Sequence, residues 1–434
     1  MQPGDTIVAS NRLYGGSLTQ FGKTVKKFNW GCTFVDVGNF EQVETALKDP
    51  TARLLFWGSL ANPGGVVSDL RTLADLAHGA GVPLVVDNTL ATPFLCRPID
   101  HGADISGRTS TTKFLSGQGS ALGGVVVDSG KFDWMAQAEK FPSLAKPEPG
   151  YHGLVFAETF GDMAFTMFSH AVGLRDLGAT MAPLHAFLTL NGCETLAVRM
   201  ERHCANAAVL AQFLERHPKV AWVSFAGLAS SPYRTLAERY MHRSWGGGVF
   251  TFGVVGGFDA GVRVVEAVEL FSHLANVGLT DEQRHAAGAG DDVIRLSIGL
   301  ETPEDLIADL SFALDQAKLA IAALRECGSE AQEHGTGRGR GHPNGLTPSS
   351  TALDGLLRSP TAPRTTGGHP LAADAASGGG DLCVVCLSST KTHAFLPCGH
   401  RCVCAECGSA VADQASAACP ICRILVDHVL QIFC

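Results

Sequence analysis

The sequence predicts an α/β protein in four parts: a large domain with a mostly parallel sheet, a smaller α+β domain, a disordered linker and a small zinc-bound module. Apolar runs suited to buried strands alternate with amphipathic helical segments through the first three-quarters of the chain. Gly, Pro, Ser and Thr then dominate residues 328–380, and nine of the 14 cysteines follow that stretch. We therefore expect domains at residues 1–190, 191–327, 328–380 and 381–434.

Composition narrows the class of protein. The chain has 434 residues, 45% of them hydrophobic, so it can bury the cores of two or three domains. A net charge of −9 argues against nucleic acid or an anionic membrane as a partner. We expect neither a signal peptide nor a membrane span, because no apolar run of about 18 residues occurs. The cysteine spacings indicate metal ligands rather than disulfides, which fits a cytoplasmic protein.

A first clear helix–strand unit lies at residues 68–87. Residues 68–81 have helical periodicity with Ser68 as the predicted N-cap, and VPLVVD at 82–87 suits a buried strand. The strand ends in Asp87, at the edge where parallel sheets bind ligands. A carboxylate there can keep a pyridine nitrogen protonated. A helix-cap or turn aspartate is the alternative, and this unit alone does not decide between them.

A lysine among hydroxyls follows the next predicted strand. The stretch ADISGRTSTTKFLSGQGSALGG, residues 103–124, places Lys113 after a Ser-Thr-Thr run and before a glycine-rich turn. The amine of Lys113 can form a Schiff base with pyridoxal phosphate, and Ser110 and Thr112 can donate hydrogen bonds to the phosphate of that cofactor. A solvated loop lysine fits the same residues, so both interpretations stay open at this point.

Two long stretches carry a family resemblance. NPGGVVSDLRTLADLAHGAGVPLVVDNTLATPFLCRPIDHGAD begins at residue 62, and TKFLSGQGSALGGVVVDSGKFDW begins at residue 112. Together they resemble the Cys/Met-metabolism family of pyridoxal-phosphate enzymes, and within it the O-acetylhomoserine sulfhydrylases, over residues 4–325. The resemblance implies an aspartate-aminotransferase-like (type I) fold, a transsulfuration-type reaction on an O-acylhomoserine, and a homo-oligomer.

The same resemblance implies roles for single residues. Lys113 would hold the cofactor and move protons, and Asp87 would charge the ring nitrogen of the cofactor. Tyr14 matches the tyrosine that stacks on the ring, and Asn62 matches the asparagine near the ring oxygen. Arg295, in IRLSIGLE, matches the arginine that takes the α-carboxylate of the substrate, a task that suits a bidentate guanidinium.

Four departures from the family pattern predict impaired catalysis. The family carries a longer N-terminal segment with a phosphate-binding helix N-terminus, which we expect this chain to lack. Gly58 stands where the family has a glutamate. An extra residue lies between Asp87 and Lys113, so either a bulge absorbs it or Lys113 is displaced from its expected position. After Gly278 a stretch that covers the substrate in the family is missing.

The remaining elements before the linker belong to a helical connection and the smaller domain. Residues 151–202 are predicted to form long helices, including one that joins the two domains. The smaller domain is predicted to contain strands at 220–225, 249–254 and 293–298 and helices at 262–274 and 303–324. Strands mixed with helices in this way predict an α+β domain.

The C-terminal part carries eight potential zinc ligands in four pairs. They are Cys383 and Cys386, Cys398 and His400, Cys404 and Cys407, and Cys419 and Cys422. A Cys-x2-Cys pair lets a tight turn bring two sulfurs to one ion, and a distant pair completes the tetrahedron. The spacing predicts two closed tetrahedral zinc sites.

The order of these ligands, ending in CPICR, resembles a RING finger of the inhibitor-of-apoptosis type. The resemblance implies that the first and third pairs bind one zinc ion and the second and fourth pairs bind the other. Cys402 would be a spectator, because Cys404 has the better spacing to Cys407.

A RING finger also implies a partner. Val385, Leu387 and Pro420 would form the apolar surface for a ubiquitin-conjugating enzyme, and Arg423 would contact both that enzyme and ubiquitin. The apolar tail at 424–434 would pair across a dimer. The module is therefore a candidate ubiquitin ligase, with a zinc-stabilised binding domain lacking ligase activity as the alternative.

Three hypotheses for the whole chain follow. In the first, the front part is an active enzyme that replaces the γ-acyl group of an O-acylhomoserine by sulfide or a thiol. In the second, it is an impaired relative that still binds pyridoxal phosphate and is joined to a RING ubiquitin ligase. In the third, a gene model joins pieces of two genes and the chain has no combined function. The departures described above favour the second.

Overall fold

The chain divides into two compact units, Met1–Gly339 and Arg340–Cys434. The computed structural model describes residues 1–273, 288, 290 and 292–316, and in the C-terminal part residues 383, 385–386, 389, 392–396, 401–412, 426 and 428–431. The predicted linker at 328–380 lies outside the described residues. The predicted boundary after residue 190 falls inside the helix Pro183–Glu194 and stays a prediction.

A six-stranded sheet forms the centre of the first unit. Its strands are β1 (Thr6–Ser10), β2 (Gly31–Val35), β3 (Ala52–Gly58), β4 (Leu84–Asp87), β5 (Ile105–Ser110) and β6 (Gly124–Asp128). The spatial order is β2-β1-β3-β4-β5-β6. All neighbours pair in parallel except β5 and β6, which are antiparallel. This mostly parallel sheet confirms the predicted fold class.

Helices of very different lengths surround the sheets of this unit. The α-helices are Gly15–Thr19, Phe40–Leu47, Leu70–Gly79, Thr92–Leu95, Pro142–Ala145, Phe156–Phe160, Ala164–Phe168, Pro183–Glu194, Leu196–Arg216, Arg234–Tyr240, Gly257–Ala267 and residues 303–316. Short 3₁₀ turns lie at Val25–Phe28, Pro98–His101, Pro149–Tyr151, Gly161–Met163 and His242–Ser244, and π-helical turns at Gln20–Thr24, Thr111–Leu115 and Ser169–Asp176. Long helices predicted for residues 151–202 are present at Pro183–Glu194 and Leu196–Arg216. Before them, a helical run of mixed 3₁₀, α and π type extends from Gly161 to Asp176.

The helix Leu70–Gly79 holds β4 in place through one apolar face. Its residues Leu70, Leu73, Ala74 and Ala77 follow the i, i+3, i+4, i+7 pattern, and each is fully buried. They share a core with strand residues of β3 and β4, and burial of this apolar surface stabilises the unit by about 25 cal/mol for each Å². Asp87, the last residue of β4, is thereby brought to the carboxyl edge of the sheet.

The cap of this helix differs from the prediction. Asp69, rather than Ser68, is the N-cap, and its carboxylate accepts a hydrogen bond from the Thr72 N–H over 3.4 Å. The Ser68 hydroxyl instead donates to the Gly58 carbonyl over 2.7 Å. A serine at the helix start is thus used to fasten the end of β3, which the local sequence pattern does not reveal.

A second, smaller sheet lies in the later part of the first unit. Its antiparallel strands are β7 (Val220–Ser224), β8 (Val249–Val254) and β9 (Ile294–Ser297), in the order β7-β8-β9. Phe250 and Phe252 of β8 are fully buried in a core that also includes the long helix Leu196–Arg216. Strands packed against helices confirm the predicted α+β character of this part.

The second unit is small and built around a three-stranded sheet. Strands β10 (His393–Leu396), β11 (Arg401–Val403) and β12 (His428–Gln431) pair in the order β11-β10-β12, and the helix Ala405–Ala412 packs against them. Cys383, Val403 and Cys404 form its buried centre. Among the helices that the structure describes in either unit, none combines the length and apolar character needed to cross a membrane.

Candidate active site and metal centre

Asp87 and Lys113 follow adjacent parallel strands of the six-stranded sheet. Asp87 ends β4, and Lys113 lies in the turn Thr111–Leu115 directly after β5. Thr89 connects the two strand ends: its N–H donates to an Asp87 carboxylate oxygen over 2.9 Å, and its hydroxyl accepts from the Ser110 N–H over 2.9 Å. We call Asp87, Thr89, Ser110 and Lys113 the strand-tip cluster. An amine and a carboxylate therefore lie at the same edge of the sheet.

An irregularity interrupts the pairing of β5 shortly before Lys113. The pairing with β6 runs from Ser106 opposite Val127 to Thr109 opposite Val125, so β5 uses one more residue than β6 across this step. Gly107 lies inside the irregularity, where an added Cβ would come within 3.0 Å of the Val85 side chain. A bulge of this kind shifts the alternation of side chains by one residue, as an extra residue before Lys113 would require.

The hydroxyls around Lys113 are used in different ways. The Thr112 hydroxyl accepts from the Gly123 N–H over 3.1 Å and donates to the Gly123 carbonyl over 3.4 Å, so it closes the turn that leads to β6. Ser110 is half-buried, and Lys113 is exposed. The buried Thr111 hydroxyl has no hydrogen-bond partner in the described part of the chain. The Lys113 amine, the Asp87 carboxylate and the half-buried Ser110 are the kinds of group that fit a phosphorylated pyridine aldehyde.

Tyr14, Asn62 and Arg295, which we call the cavity cluster, line a cavity of about 960 Å³. Arg295 Nη1 donates to the Asn62 side-chain oxygen over 2.9 Å. Burial lowers the pKa of Arg295 from its ordinary value, and the neighbouring Tyr14 opposes that shift. The Tyr14 ring is 45% exposed and folds over Gly16, where an added Cβ would lie 2.7 Å from the ring.

The cavity is lined by the cavity cluster and not by the described residues of the strand-tip cluster. Asp87, Ser110, Thr112 and Lys113 are not among the described residues that line the cavity, whereas the three residues of the cavity cluster are. The remainder of the lining includes apolar residues of the smaller domain, namely Phe252, Val264, Leu306 and Leu310. The predicted loss of a covering segment after Gly278 falls outside the described residues.

Sequence reasoning did not single out Thr89, which joins Asp87 to Ser110. A hydroxyl two residues beyond a strand tip is the only signal that the sequence contains. Its partner lies 21 residues away on the neighbouring strand, so the contact follows from strand order and not from local pattern.

Four of the predicted zinc ligands come together in the second unit. The sulfurs of Cys383, Cys386, Cys404 and Cys407 all lie within 4.8 Å of one another, and those of Cys386 and Cys404 are 3.9 Å apart. Zinc–sulfur bonds of about 2.3 Å in a tetrahedron put the sulfurs about 3.8 Å apart. This donor set therefore fits a structural zinc ion bound by the first and third cysteine pairs.

The local backbone favours a thiolate at Cys383. Burial raises the pKa of Cys383, but the backbone N–H groups of Cys386, Cys404 and Val385 donate to its sulfur, and together they bring the pKa below its ordinary value. The thiolate is the form of cysteine that binds zinc. The hydrogen bond with Cys404 raises the pKa of Cys407 to about 12, so the sulfur geometry, rather than the pKa values, is what fits a metal ion.

The other predicted residues of this unit are described only in part. Val385, in the turn between the first two ligands, is 49% exposed. The remaining predicted ligands and partner-binding residues lie outside the described residues: Cys398, His400, Cys419, Cys422, Leu387, Pro420 and Arg423. The second zinc site stays a prediction.

Comparison with known proteins identifies the family of the first unit. The profile described as Cys/Met metabolism PLP-dependent enzyme matches residues 1–315, nearly three-quarters of the chain. The chain belongs to this family. Pyridoxal phosphate is the cofactor of the family, and the cofactor prediction made from the sequence is confirmed at this level.

Individual relatives agree with this assignment. A homocysteine synthase of Schizosaccharomyces pombe is 44% identical over 331 residues, which cover 72% of this chain and 76% of the relative. An O-acetyl-L-homoserine sulfhydrylase of Leptospira meyeri is 38% identical over 338 residues, with 72% and 76% covered. The first unit is therefore of the O-acetylhomoserine sulfhydrylase type.

Two solved structures have a fold similar to that of the first unit. A putative O-acetylhomoserine (thiol)-lyase of Campylobacter jejuni, solved with N'-pyridoxyl-lysine-5'-monophosphate, superimposes with a TM-score of 0.67 at 33% identity over 72% of this chain and 78% of that one. The O-acetylhomoserine sulfhydrylase of Wolinella succinogenes gives a TM-score of 0.61 at 34% identity over 72% and 86%.

The second unit has its own match. The profile of the C3HC4-type zinc finger, or RING finger, covers residues 379–429. The chain therefore carries a RING-type zinc finger after its pyridoxal-phosphate enzyme region, and zinc is its metal. Both parts of the predicted family assignment are confirmed.

Proposed function

We propose that the first unit is a pyridoxal-phosphate protein with impaired turnover, joined to a RING finger that acts as a ubiquitin ligase. The observation that carries the first half is that Asp87 ends β4 while Lys113 directly follows β5, its parallel neighbour. A carboxylate and an amine at one sheet edge are the two groups that a pyridine aldehyde requires at its opposite ends.

Each residue has a definite task in this proposal. Lys113 holds the cofactor through its amine and passes protons to and from the substrate carbon atoms. Asp87 keeps the ring nitrogen protonated, and Tyr14 covers the ring. Arg295 receives the amino-acid substrate, with its guanidinium on the α-carboxylate, and Asn62 lies near the ring oxygen of the cofactor. When bound, pyridoxal phosphate supplies an electron sink that the side chains themselves lack.

Two features of the described residues support impairment. The Thr112 hydroxyl bonds to Gly123, so binding a phosphate would cost this predicted donor its bond to the Gly123 carbonyl. Gly58 adds no side chain beside Asp87, its partner in the β3–β4 pairing. Loss of one charge-assisted donor typically costs about 1.5–3 kcal/mol, enough to slow turnover strongly.

An assay in which sulfide replaces the acetyl group of the substrate tests this half of the proposal. With pyridoxal phosphate, O-acetylhomoserine and sulfide, the full chain is expected to release acetate slowly and form homocysteine. Arg295→Lys is expected to raise KM for O-acetylhomoserine about tenfold or more with a smaller change in kcat, because an ammonium cannot grip a carboxylate bidentately.

The exposed Arg175→Lys variant is the matched control and is expected to leave KM unchanged. An unchanged KM in Arg295→Lys would contradict the role of that arginine. Turnover as fast as that of the sulfhydrylase relatives would instead favour the alternative, an active sulfhydrylase or cystathionine-synthase-type enzyme. The Arg295–Asn62 hydrogen bond within a large cavity is the observation that favours this alternative.

The RING finger supports the second half of the proposal. The exposed apolar Val385 projects from the turn between Cys383 and Cys386, as a docking surface for a ubiquitin-conjugating enzyme requires. In a self-ubiquitination assay with a panel of conjugating enzymes, Arg423→Ala is expected to reduce activity about tenfold or more, because arginines at interface centres dominate binding energy. His400→Ala is expected to abolish activity through loss of a zinc ligand.

A control and a contrary outcome complete this test. Arg364→Ala, in the predicted linker, removes the same charge outside the module and is expected to have no effect. Full activity in His400→Ala would exclude zinc-dependent ligase function. Absence of activity in the wild type with every conjugating enzyme would favour the alternative, a protein-binding zinc module.

Exposed apolar side chains support self-association of the first unit. On the helix Pro183–Glu194, Leu184, Phe187 and Leu190 are 64%, 59% and 67% exposed and recur at three-residue spacing on one face. Contiguous apolar surface of this kind marks interaction sites in soluble proteins. We therefore include a homo-oligomer in the proposal.

A further inference from the structure

Arg199 forms hydrogen bonds to the turn that contains Lys113. This half-buried side chain belongs to the helix Leu196–Arg216. Its guanidinium donates to the carbonyls of Phe114 over 2.8 Å and Leu115 over 3.4 Å, which directly follow Lys113 in the turn. A third bond, over 2.7 Å, runs to the Gly192 carbonyl. The Arg199 guanidinium thus connects the lysine turn to the junction between the helices Pro183–Glu194 and Leu196–Arg216.

Two glycines make room for this arrangement. Gly117 has a positive φ of 81°, and an added Cβ would lie 2.7 Å from Arg199 Cζ. At Gly192 an added Cβ would lie 2.6 Å from the Leu115 carbonyl oxygen and 2.3 Å from the Ser116 carbonyl oxygen. A side chain at Gly192 would push the lysine turn away from the helix, whereas one at Gly117 would displace the guanidinium. The guanidinium therefore occupies a site that fits it closely.

The same helix also forms hydrogen bonds to the segment that follows Arg295. Asn206 is 1% exposed, and its Nδ2 donates to the carbonyls of Gly299 over 3.1 Å and Glu301 over 2.8 Å. Ile298, one residue past β9, is also contacted: its carbonyl lies 2.7 Å from His203 Nδ1.

The protonation state of His203 agrees with that contact. Burial lowers the pKa of His203, so the imidazole is neutral near pH 7. In the tautomer with a proton on Nδ1, the ring donates to the Ile298 carbonyl. His203 also packs edge-on against Phe114, with ring centroids 5.1 Å apart, so it contacts the lysine turn as well.

We propose that the helix Leu196–Arg216 is a spacer that fixes the position of Lys113 relative to Arg295. Arg199 positions the lysine turn, and Asn206 positions the segment that follows β9. The two residues are seven positions apart, about two helical turns or 10 Å. A helix of this length is stiff, and the two segments that it binds belong to different sheets. The helix can therefore hold these segments at a fixed separation. Neither residue is among the described residues that line the cavity or belongs to the strand-tip cluster, and the chemical consequence rests on the proposed function.

Hydrogen exchange in the cofactor-free full chain tests the spacer directly. The Ser116 and Gly117 amides close the lysine turn by bonding to the Thr111 and Lys113 carbonyls, so they report its stability. Arg199→Ala is expected to lower their protection about tenfold or more, because two carbonyls lose a charged donor. Residues 294–301 are expected to keep their protection in that variant.

The converse variant and the controls complete the design. Asn206→Ala is expected to lower protection in 298–301 and to leave the lysine turn unchanged. Arg199→Lys keeps the charge without the fork and is expected to give a smaller loss, which also covers the case in which Arg199→Ala does not fold. Arg216→Ala, exposed at the end of the same helix, is expected to change neither segment.

Two outcomes would overturn the inference. One is unchanged protection of the lysine turn in both Arg199 variants. The other is an equal loss in both segments for every variant, which would mean a general loss of stability rather than local positioning.

A second readout connects the spacer to the cofactor. The rate at which borohydride fixes pyridoxal phosphate on Lys113 is expected to fall about tenfold or more in Arg199→Ala and to stay unchanged in Asn206→Ala. If the wild type fixes no cofactor at all, the proposed function fails, while hydrogen exchange still decides whether the helix is a spacer.

Discussion

Lys113→Ala protein is expected to retain no pyridoxal phosphate after borohydride reduction and denaturation, whereas the wild type is expected to carry the cofactor covalently. Lys113 lies in the turn after β5, at the same sheet edge as Asp87. A carbon–nitrogen bond to the cofactor needs this amine, so its removal should lower the covalent signal to background and not merely weaken it. Mass spectrometry of the peptide that contains residue 113 provides the measurement.

The matched control is Lys131→Ala. Lys131 is another exposed lysine of the first unit, and its replacement is expected to leave the covalent label unchanged. A label of full intensity in Lys113→Ala, or one mapped to a different lysine, would disprove the assignment. In that case the bulge in β5 would not have restored the lysine to the position that the family resemblance implies.

Cys404→Ser is expected to remove one zinc ion, unfold the C-terminal module and abolish any ligase activity. Cys404 is buried at the centre of the module, and its sulfur is one of four within 4.8 Å of one another. Zinc binding contributes about 10–16 kcal/mol to the folding of small zinc domains, far more than such a small core supplies. Zinc content by atomic emission and thermal unfolding of the full chain measure the effect.

Cys402→Ser distinguishes the ligand from its neighbour. It removes a thiol two residues away and is expected to leave zinc content and stability unchanged. Loss of zinc in Cys402→Ser with retention in Cys404→Ser would reverse the predicted ligand order. The thermal transition of the first unit is expected to be unaffected in both variants, since Met1–Gly339 and Arg340–Cys434 are separate compact units.

The strand tips were predictable because their signals are local. The run VPLVVD ends in a single carboxylate, and β4 ends at that residue. The spacing of Cys383, Cys386, Cys404 and Cys407 likewise predicted one metal site, and their sulfurs meet. In both cases the chemistry requires particular residue types at short, fixed separations, which a sequence displays directly.

Other features could not be predicted because they depend on distant partners. The bulge in β5 could not be predicted, because it is visible only in the β5–β6 pairing. The bonds between Thr112 and Gly123 were equally hidden, since they form where the chain folds back towards β6.

By itself the sequence determined the α/β class, the family, the cofactor and the zinc finger, because each rests on ordered motifs whose residues carry their own chemistry. Only the tertiary structure decided which residues share a site: Tyr14, Asn62 and Arg295 in one cavity, and Asp87 with Lys113 at one sheet edge. It alone also revealed Arg199, whose partners are backbone carbonyls 84 and 85 residues away. Every residue has a carbonyl, so no side-chain pattern marks the ones that a distant guanidinium will bind.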